Sequence, residues 1–329
     1  MDIAVSYHDT VTKLQALSAL SQGPFDRAEW FALLASHGAR PLTVMAQDGA
    51  DCAALPLMHG EHGLESLSNW FSFTWRPLVP AGEHCDTLLA AIARDLKQQT
   101  HQLTLAPIPD EDGSATRLET AFRAAGWHVQ LEVCDENHVL PVQGRDFAAY
   151  WDTRPGKMRT TLKRKAKKVE TEIYTQFDEG GWRAYQSVYD NSWKPEEERA
   201  DLLEAFARAE GDAGRLRLGV ARHDGAPVAA QFWTVEDGTA YIHKLAHVEA
   251  AKPLSAGTTL SAALFAYVID QDEVGLVDFG TGSDAYKRDW MELNRPRYRL
   301  TCLDPRQPRA WPALTKSRLR RLARAIGHG

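Results

Sequence analysis

One pattern occurs twice in this chain, 176 positions apart. Asp48-Gly49-Ala50 followed by Ala53-Ala54 returns as Asp224-Gly225-Ala226 followed by Ala229-Ala230, and Arg76-Pro77-Leu78 returns as Lys252-Pro253-Leu254. Self-similarity at a fixed offset marks two copies of one supersecondary unit, so the chain is expected to fold as a tandem of related domains. The copies differ where chemistry would sit: Leu67 and Ser68 of the first stand against His243 and Lys244 of the second. Function is therefore sought in the second copy.

Each copy reads as a helix, a hairpin, a strand, a helix and another strand. In the first, Trp30-Phe31 and Leu33-Leu34 suit a helix, and Leu42 to Ala46 and Ala53 to Leu57 flank an Asp48-Gly49 turn. Leu64 to Phe73 reads as a strand, and Leu88, Leu89, Ile92 and Leu96 form a stripe at helical spacing. A strand at Leu103 to Ala106, a helix at Ala115 to Ala125 and a strand at Val129 to Val133 complete it. The second copy repeats the order with Leu202 to Ala209, the Asp224-Gly225 hairpin, a strand at Ala240 to Leu245, a helix at Thr258 to Ile269 and a strand at Leu276 to Phe279. Domain boundaries are expected near 140 and 305, giving a degenerate first domain over 1–140, a catalytic domain over 141–305 and a basic tail over 306–329. With two-residue slippage Thr104 stands where the second copy has Asp278, so the first copy lacks the ionisable set. Its aromatic run, Asn69 to Arg76, suits interdomain packing or the wall of an acceptor cleft.

Charge is distributed unevenly. The net charge is −6, but residues 154–168 hold eight Lys/Arg and no acid and residues 306–324 hold seven and no acid, which leaves −21 on the rest of the chain. Two basic segments on an acidic body suit local binding of anions rather than general nucleic-acid affinity. Arg154 to Val169 should be a helix with Met158, Leu162, Ala166 and Val169 on one face. It is either a solvated linker or a cradle for a phosphorylated ligand or an acidic carrier protein, with Lys163, Arg164 and Lys167 as the anion-binding candidates. In the tail, Leu319, Leu322, Ala323 and Ile326 share a face among basic residues. Such a helix can touch an anionic membrane or dock on the protein itself, and docking is the expectation.

Other function classes are narrowed by composition. The start lacks a basic region followed by an apolar one, and the longest apolar run, Ala262 to Ile269, is far short of the roughly 20 residues of a membrane span. A cytoplasmic protein is expected. Cys52, Cys85, Cys134 and Cys302 show no CxxC spacing, which suits reduced thiols rather than disulfides or zinc. His59-Gly60-Glu61-His62 reads as a solvated turn, and no metal is expected.

The candidate site is built from three stretches of the second copy. The strand Tyr241-Ile242-His243-Lys244-Leu245 is followed by the loop Lys252-Pro253-Leu254-Ser255-Ala256-Gly257-Thr258, where small residues at a helix start let backbone N–H groups approach a diphosphate. The next strand ends in Asp278-Phe279-Gly280-Thr281-Gly282 and runs into Asp284-Ala285-Tyr286-Lys287-Arg288-Asp289-Trp290-Met291. His243 and Asp278 are the candidate bases, and strand alternation is expected to point His243 and Lys244 to opposite faces. Tyr286 either donates a proton or packs on Trp290, and Lys287 either stabilises a carbonyl or complements Asp284.

On these residues the second copy, roughly 145–303, resembles the GCN5-related N-acetyltransferase (GNAT) superfamily, in particular bacterial tandem-GNAT proteins of the CelD-like kind and more distantly the Fem peptidyltransferases. The resemblance implies an α/β (mixed α+β) fold class: tandem GNAT folds, each a twisted mixed sheet flanked by helices. It departs in the loop, which has one glycine where a Gly-x-Gly or Gly-x-Ala signature is usual. It implies an acyl-CoA donor (acetyl-CoA or longer) in the gap between two splayed parallel strands. There Leu245 would offer an oxyanion N–H, and Leu254, Ser255, Ala256, Gly257 and Thr258 would hold the pyrophosphate. An amine acceptor, small molecule or peptide, then attacks the thioester, with His243, Asp278, Tyr286 and Lys287 as catalytic candidates and Lys244 and Asp284 facing the substrate. The donor alternatives are an acidic acyl carrier protein and, in a Fem-like reaction, a charged tRNA whose backbone would meet the basic helix. A non-catalytic GNAT-shaped binding protein is the reading outside enzymes.

Overall fold

The computed structural model describes residues 3–82, 84–282 and 284–316. In chain order the first half comprises β1 (Ala4–His8), α1 (Ala28–Ser36), β2 (Pro41–Asp48), β3 (Asp51–His59), β4 (Leu64–Ser66), α2 (His84–Asp95), β5 (Gln102–Ile108), α3 (Ser114–Ala124) and β6 (His128–Pro141). The second half comprises α4 (Phe147–Asp152), α5 (Gly156–Lys165), β7 (Glu170–Tyr174), α6 (Glu179–Asp190), α7 (Ala200–Asp212), β8 (Leu216–His223), β9 (Ala226–Glu236) and β10 (Thr239–His247). It continues with α8 (Ala256–Asp270), β11 (Leu276–Thr281), α9 (Lys287–Trp290) and β12 (Leu293–Leu303). The chain divides into two compact units, one built from residues up to Glu136 together with those from Pro296 onward, the other from Asn137–Arg295. The expected tail helix at Thr315 to Ile326 falls largely on 317–329, outside the described residues.

The same mixed sheet is built in each unit. In the first, strands follow the order β1, β2, β3, β4, β5, β12; in the second, β7, β8, β9, β10, β11 and the end of β6. All neighbours are antiparallel except β4 with β5 and β10 with β11. The repeat read from sequence survives to the level of register. Leu64 and Glu65 face Leu103 and Thr104, as Ala240 and Tyr241 face Val277 and Asp278, so Thr104 does occupy the place of Asp278. The copies then part. Leu64 to Phe73 does not continue as a strand, because Ser66 and Ser68 turn their hydroxyls to the Ala106 carbonyl at 2.6 and 3.2 Å, and the Asn69 side chain caps a turn through Phe71 N–H at 3.0 Å. Local side-chain bonds of Ser and Asn compete with strand pairing here and win. In the second copy β10 runs on to His247.

The second unit packs around α8, whose Leu260, Leu264, Phe265 and Val268 are fully buried. Phe265 stacks on Tyr150 and Trp290 at 5.4 and 4.9 Å and meets Trp233 edge-on at 5.2 Å. These rings fix the helix against α4, α9 and β9, and so fix where its N-terminus points. Helix α5 is shorter than the periodicity predicts, passing into a 3-10 turn over Ala166–Lys168. Met158 faces inward, while Lys163, Arg164 and Lys167 are exposed.

Candidate active site

β10 and β11 pair in parallel only as far as Tyr241 and Asp278, and then separate. Beyond that point β10 keeps its antiparallel partner: the Val248 N–H donates to the Val228 carbonyl at 2.9 Å. Antiparallel ladders alternate, so Lys244 and Ala246 also turn their backbone groups towards β9, and Leu245 and His247 turn theirs to the side that β11 has left. An extended ligand could add there as a strand, taking N–H and C=O bonds from Leu245 and His247.

At the end of β10 the chain passes through a 3-10 turn, Glu249–Leu254, and enters α8 through Ser255, whose left-handed φ of 54° turns the helix start inward. Residues 255–258 line a cavity of about 400 Å³ together with Leu245, His247, Phe279, Tyr286 and Trp290. The first-turn N–H groups of a helix have no intrahelical partners and carry the positive end of its dipole, which favours an anion there. Gly257 has ordinary backbone geometry, and a methyl added to it would meet only His247, at 3.7 Å or more. Nothing within the protein demands glycine at this point, and the missing side chain leaves the helix start open to close approach. Lys165 of α5 donates to the Pro253 carbonyl at 2.8 Å and to Ser255 Oγ at 3.0 Å, tying the basic helix to this entry.

Tyr286 is 40% exposed and meets the edge of Phe279 at 5.7 Å, not Trp290. Burial of its phenol, helped by the nearby Asp284 charge, raises its pKa, so it keeps its proton at neutral pH. His247 is shifted the other way: burial lowers its pKa below 6.5 and leaves the ring neutral. The exposed Trp193 covers that ring at 4.3 Å.

The remaining candidates lie outside the cavity lining. Asp278 is buried, accepting from the Asn137 amide at 2.8 and 2.6 Å and from Gly280 N–H at 2.7 Å. Lys287 is buried and donates to the Thr281 carbonyl at 2.5 Å, beside the Phe279 ring. Asp284 is exposed, Leu254 packs on the apolar core, and Lys163, Arg164 and Lys167 face solvent.

His243 and Lys244 do not point to opposite faces as alternation predicts. The ladder to β9 slips between Ile242 and Lys244, and the extra residue of this bulge sends both side chains towards α6 and α7. His243 bonds Thr234 at 2.8 Å and sits between Phe206 and Phe232. Lys244 enters a buried pair with Glu197 at 2.5 Å, with the Tyr189 ring beside it. Burial pushes the Lys244 ammonium down to about 8, against Glu197, which holds it charged. Burial and Glu197 push the Tyr189 phenol up to about 12. Among the described residues the Tyr185 hydroxyl and Glu197 Oε1 are buried without a hydrogen-bond partner.

A pH effect follows from Lys244. Between about 8 and the ordinary 10.5 the unfolded chain binds the proton that the folded chain has released, so this group's contribution to stability rises with pH across that window. Urea unfolding at pH 8 and pH 10 should show wild type gaining relative to Lys244→Met; equal pH responses would place the lysine outside this account.

His247, Trp193 and Gln231 line the cavity, and Glu197 and Lys165 stand beside it on Lys244 and Ser255, none of them a candidate in the sequence. His247 was within reach, since it lies two residues from Leu245 on the same strand face. Trp193 and Glu197 lie in the segment between α6 and α7, which has no apolar period.

Comparison with known proteins bears on this arrangement. Residues 156–288 match the family model described as acetyltransferase (GNAT) domain. No curated protein matches the chain. Among solved structures it is similar to FemX (9% identity, 92% of this chain and 98% of that one, TM-score 0.65). It is also similar to the C-terminal domain of a putative lysylphosphatidylglycerol synthetase from Agrobacterium fabrum (14%, 93% and 96%, 0.59). A tandem GNAT protein from the clavulanic acid biosynthesis pathway is similar over 93% of this chain and all of its own (17%, 0.52). At such identities the likeness is one of fold. The chain therefore shares the fold of tandem GNAT proteins, and its residues 156–288 match the acetyltransferase (GNAT) domain model.

Proposed function

We propose that the second unit is an N-acyltransferase that moves an acyl group from a thioester donor to an amine acceptor by direct attack. One observation carries this reading: the open edge of β10 at Leu245 and His247, the α8 start at Gly257 and the protonated Tyr286 meet at one cavity. The donor's pantetheine arm pairs with β10, its diphosphate lies at the N–H groups of 256–258, and the thioester oxygen takes the Leu245 N–H. The amine lone pair attacks the thioester carbon, the C–S bond breaks, and the thiolate takes the Tyr286 proton. The proton shed by the amine goes to the Glu197 carboxylate, the basic member of the Lys244–Glu197 pair.

The test is the thermal shift with coenzyme A, acetyl-CoA and palmitoyl-CoA. Donor at about 100 times its dissociation constant adds roughly 2.7 kcal/mol and several degrees. Gly257→Trp should abolish the shift. Gly257→Ala should melt at or above wild type when unliganded, by up to about 1 kcal/mol, and bind the donor more weakly. No shift with any of the three rules out coenzyme A as donor.

A further inference from the structure

The exposed cations of α5 and of the 3-10 turn that follows it are more than the cavity needs. Lys157, Lys163, Arg164, Lys167 and Lys168 all face solvent, and none forms an ion pair among the described residues. Arg159 reaches only the exposed Asp152, at 3.8 Å. Like charges at helical spacing repel, and the helix keeps them although its inward side is anchored by Met158 in the cavity wall and Lys165 on the α8 entry. From Lys157 to Lys168 the row runs about 16 Å at the rise of a helix, well beyond the reach of one nucleotide phosphate.

We propose that this face docks an acidic acyl carrier protein, whose phosphopantetheine arm delivers the thioester into the adjoining cavity. The inference rests on the acyltransfer reading and specifies its donor. A row of carboxylates on a compact partner matches the cations in length and sign. A long polyanion such as tRNA matches less well, because the chain outside 154–168 carries −14 (−6 less the eight positive charges of that stretch) and the basic stretch is short. Docking places the carrier's serine-linked phosphate at the α8 start, where coenzyme A would put its diphosphate.

The experiment measures binding of an acyl carrier protein loaded with octanoyl-phosphopantetheine, of octanoyl-CoA and of bulk tRNA to wild type and to Lys163→Glu/Arg164→Glu/Lys167→Glu. The expected result is carrier affinity at least tenfold weaker in the variant, octanoyl-CoA affinity within twofold, and carrier binding that weakens steeply between 50 and 300 mM salt. Equal loss of carrier and octanoyl-CoA, tRNA binding tighter than carrier binding, or a carrier indifferent to the charge reversal would overturn the inference. Octanoyl-CoA bound without carrier removes the docking and leaves acyl transfer standing. Neither ligand bound by wild type removes acyl transfer itself.

Discussion

Tyr286→Phe is expected to lower the turnover of acyl transfer by about 100-fold or more while leaving donor affinity near that of wild type. Proton transfer by a positioned side chain contributes typically two to four orders of magnitude. The substitution removes one hydroxyl and keeps the ring against Phe279, so the cavity wall is preserved. Burial and the Asp284 charge hold the proton on the phenol at neutral pH, so the group can enter as a donor and not as a base, and as a weaker acid than free tyrosine. The check is steady-state release of free thiol from the donor alongside a binding titration. Loss of affinity in step with loss of turnover would mean that Tyr286 packs and does not transfer a proton.

The second large effect concerns the pair beneath β10. Glu197→Ala should cost roughly 3 kcal/mol, at the low end for breaking a buried ion pair, because Lys244 can shed its proton when its partner goes. The double change Glu197→Leu/Lys244→Met replaces the pair with apolar volume and should recover most of that loss without recovering transfer. Chemical denaturation and a thiol-release assay on the two variants separate the contributions. If the double variant both folds stably and transfers acyl groups at wild-type rate, the pair has no part in the reaction.

The sequence made the tandem fold legible because the repeat is a statement about backbone geometry. Asp-Gly turns, paired alanines in the hairpins and the offsets of 176 and 174 set the register at Glu65 with Thr104 and at Tyr241 with Asp278. The loop Ser255 to Thr258 was legible for the same reason, since small residues before an apolar helical stripe mark a helix start. Less legible was which face each polar residue takes. The bulge at His243 inverts the alternation rule over one residue, and no propensity announces it. Helix α6 with Tyr185 and Tyr189, and Glu197 after it, has as its counterpart in the first copy only a 3-10 helix, Thr12–Leu20, between β1 and α1, whose sequence shares none of these polar residues. Asp278 is a candidate base in the sequence and Lys287 a candidate partner of a carbonyl or of Asp284; the partners found are Asn137, 141 residues from Asp278 and set by tertiary folding, and the Thr281 carbonyl, six residues from Lys287 and set by the turn between them.

The most direct measurement is backbone amide exchange of the full chain with saturating acetyl-CoA. The account predicts slowed exchange over 244–248, where Leu245 and His247 gain a strand partner, and over 256–258, where the diphosphate meets the helix start, with both effects lost in Gly257→Trp. Unchanged exchange in both segments, or protection confined to the first unit, would contradict the placement of a thioester donor on β10.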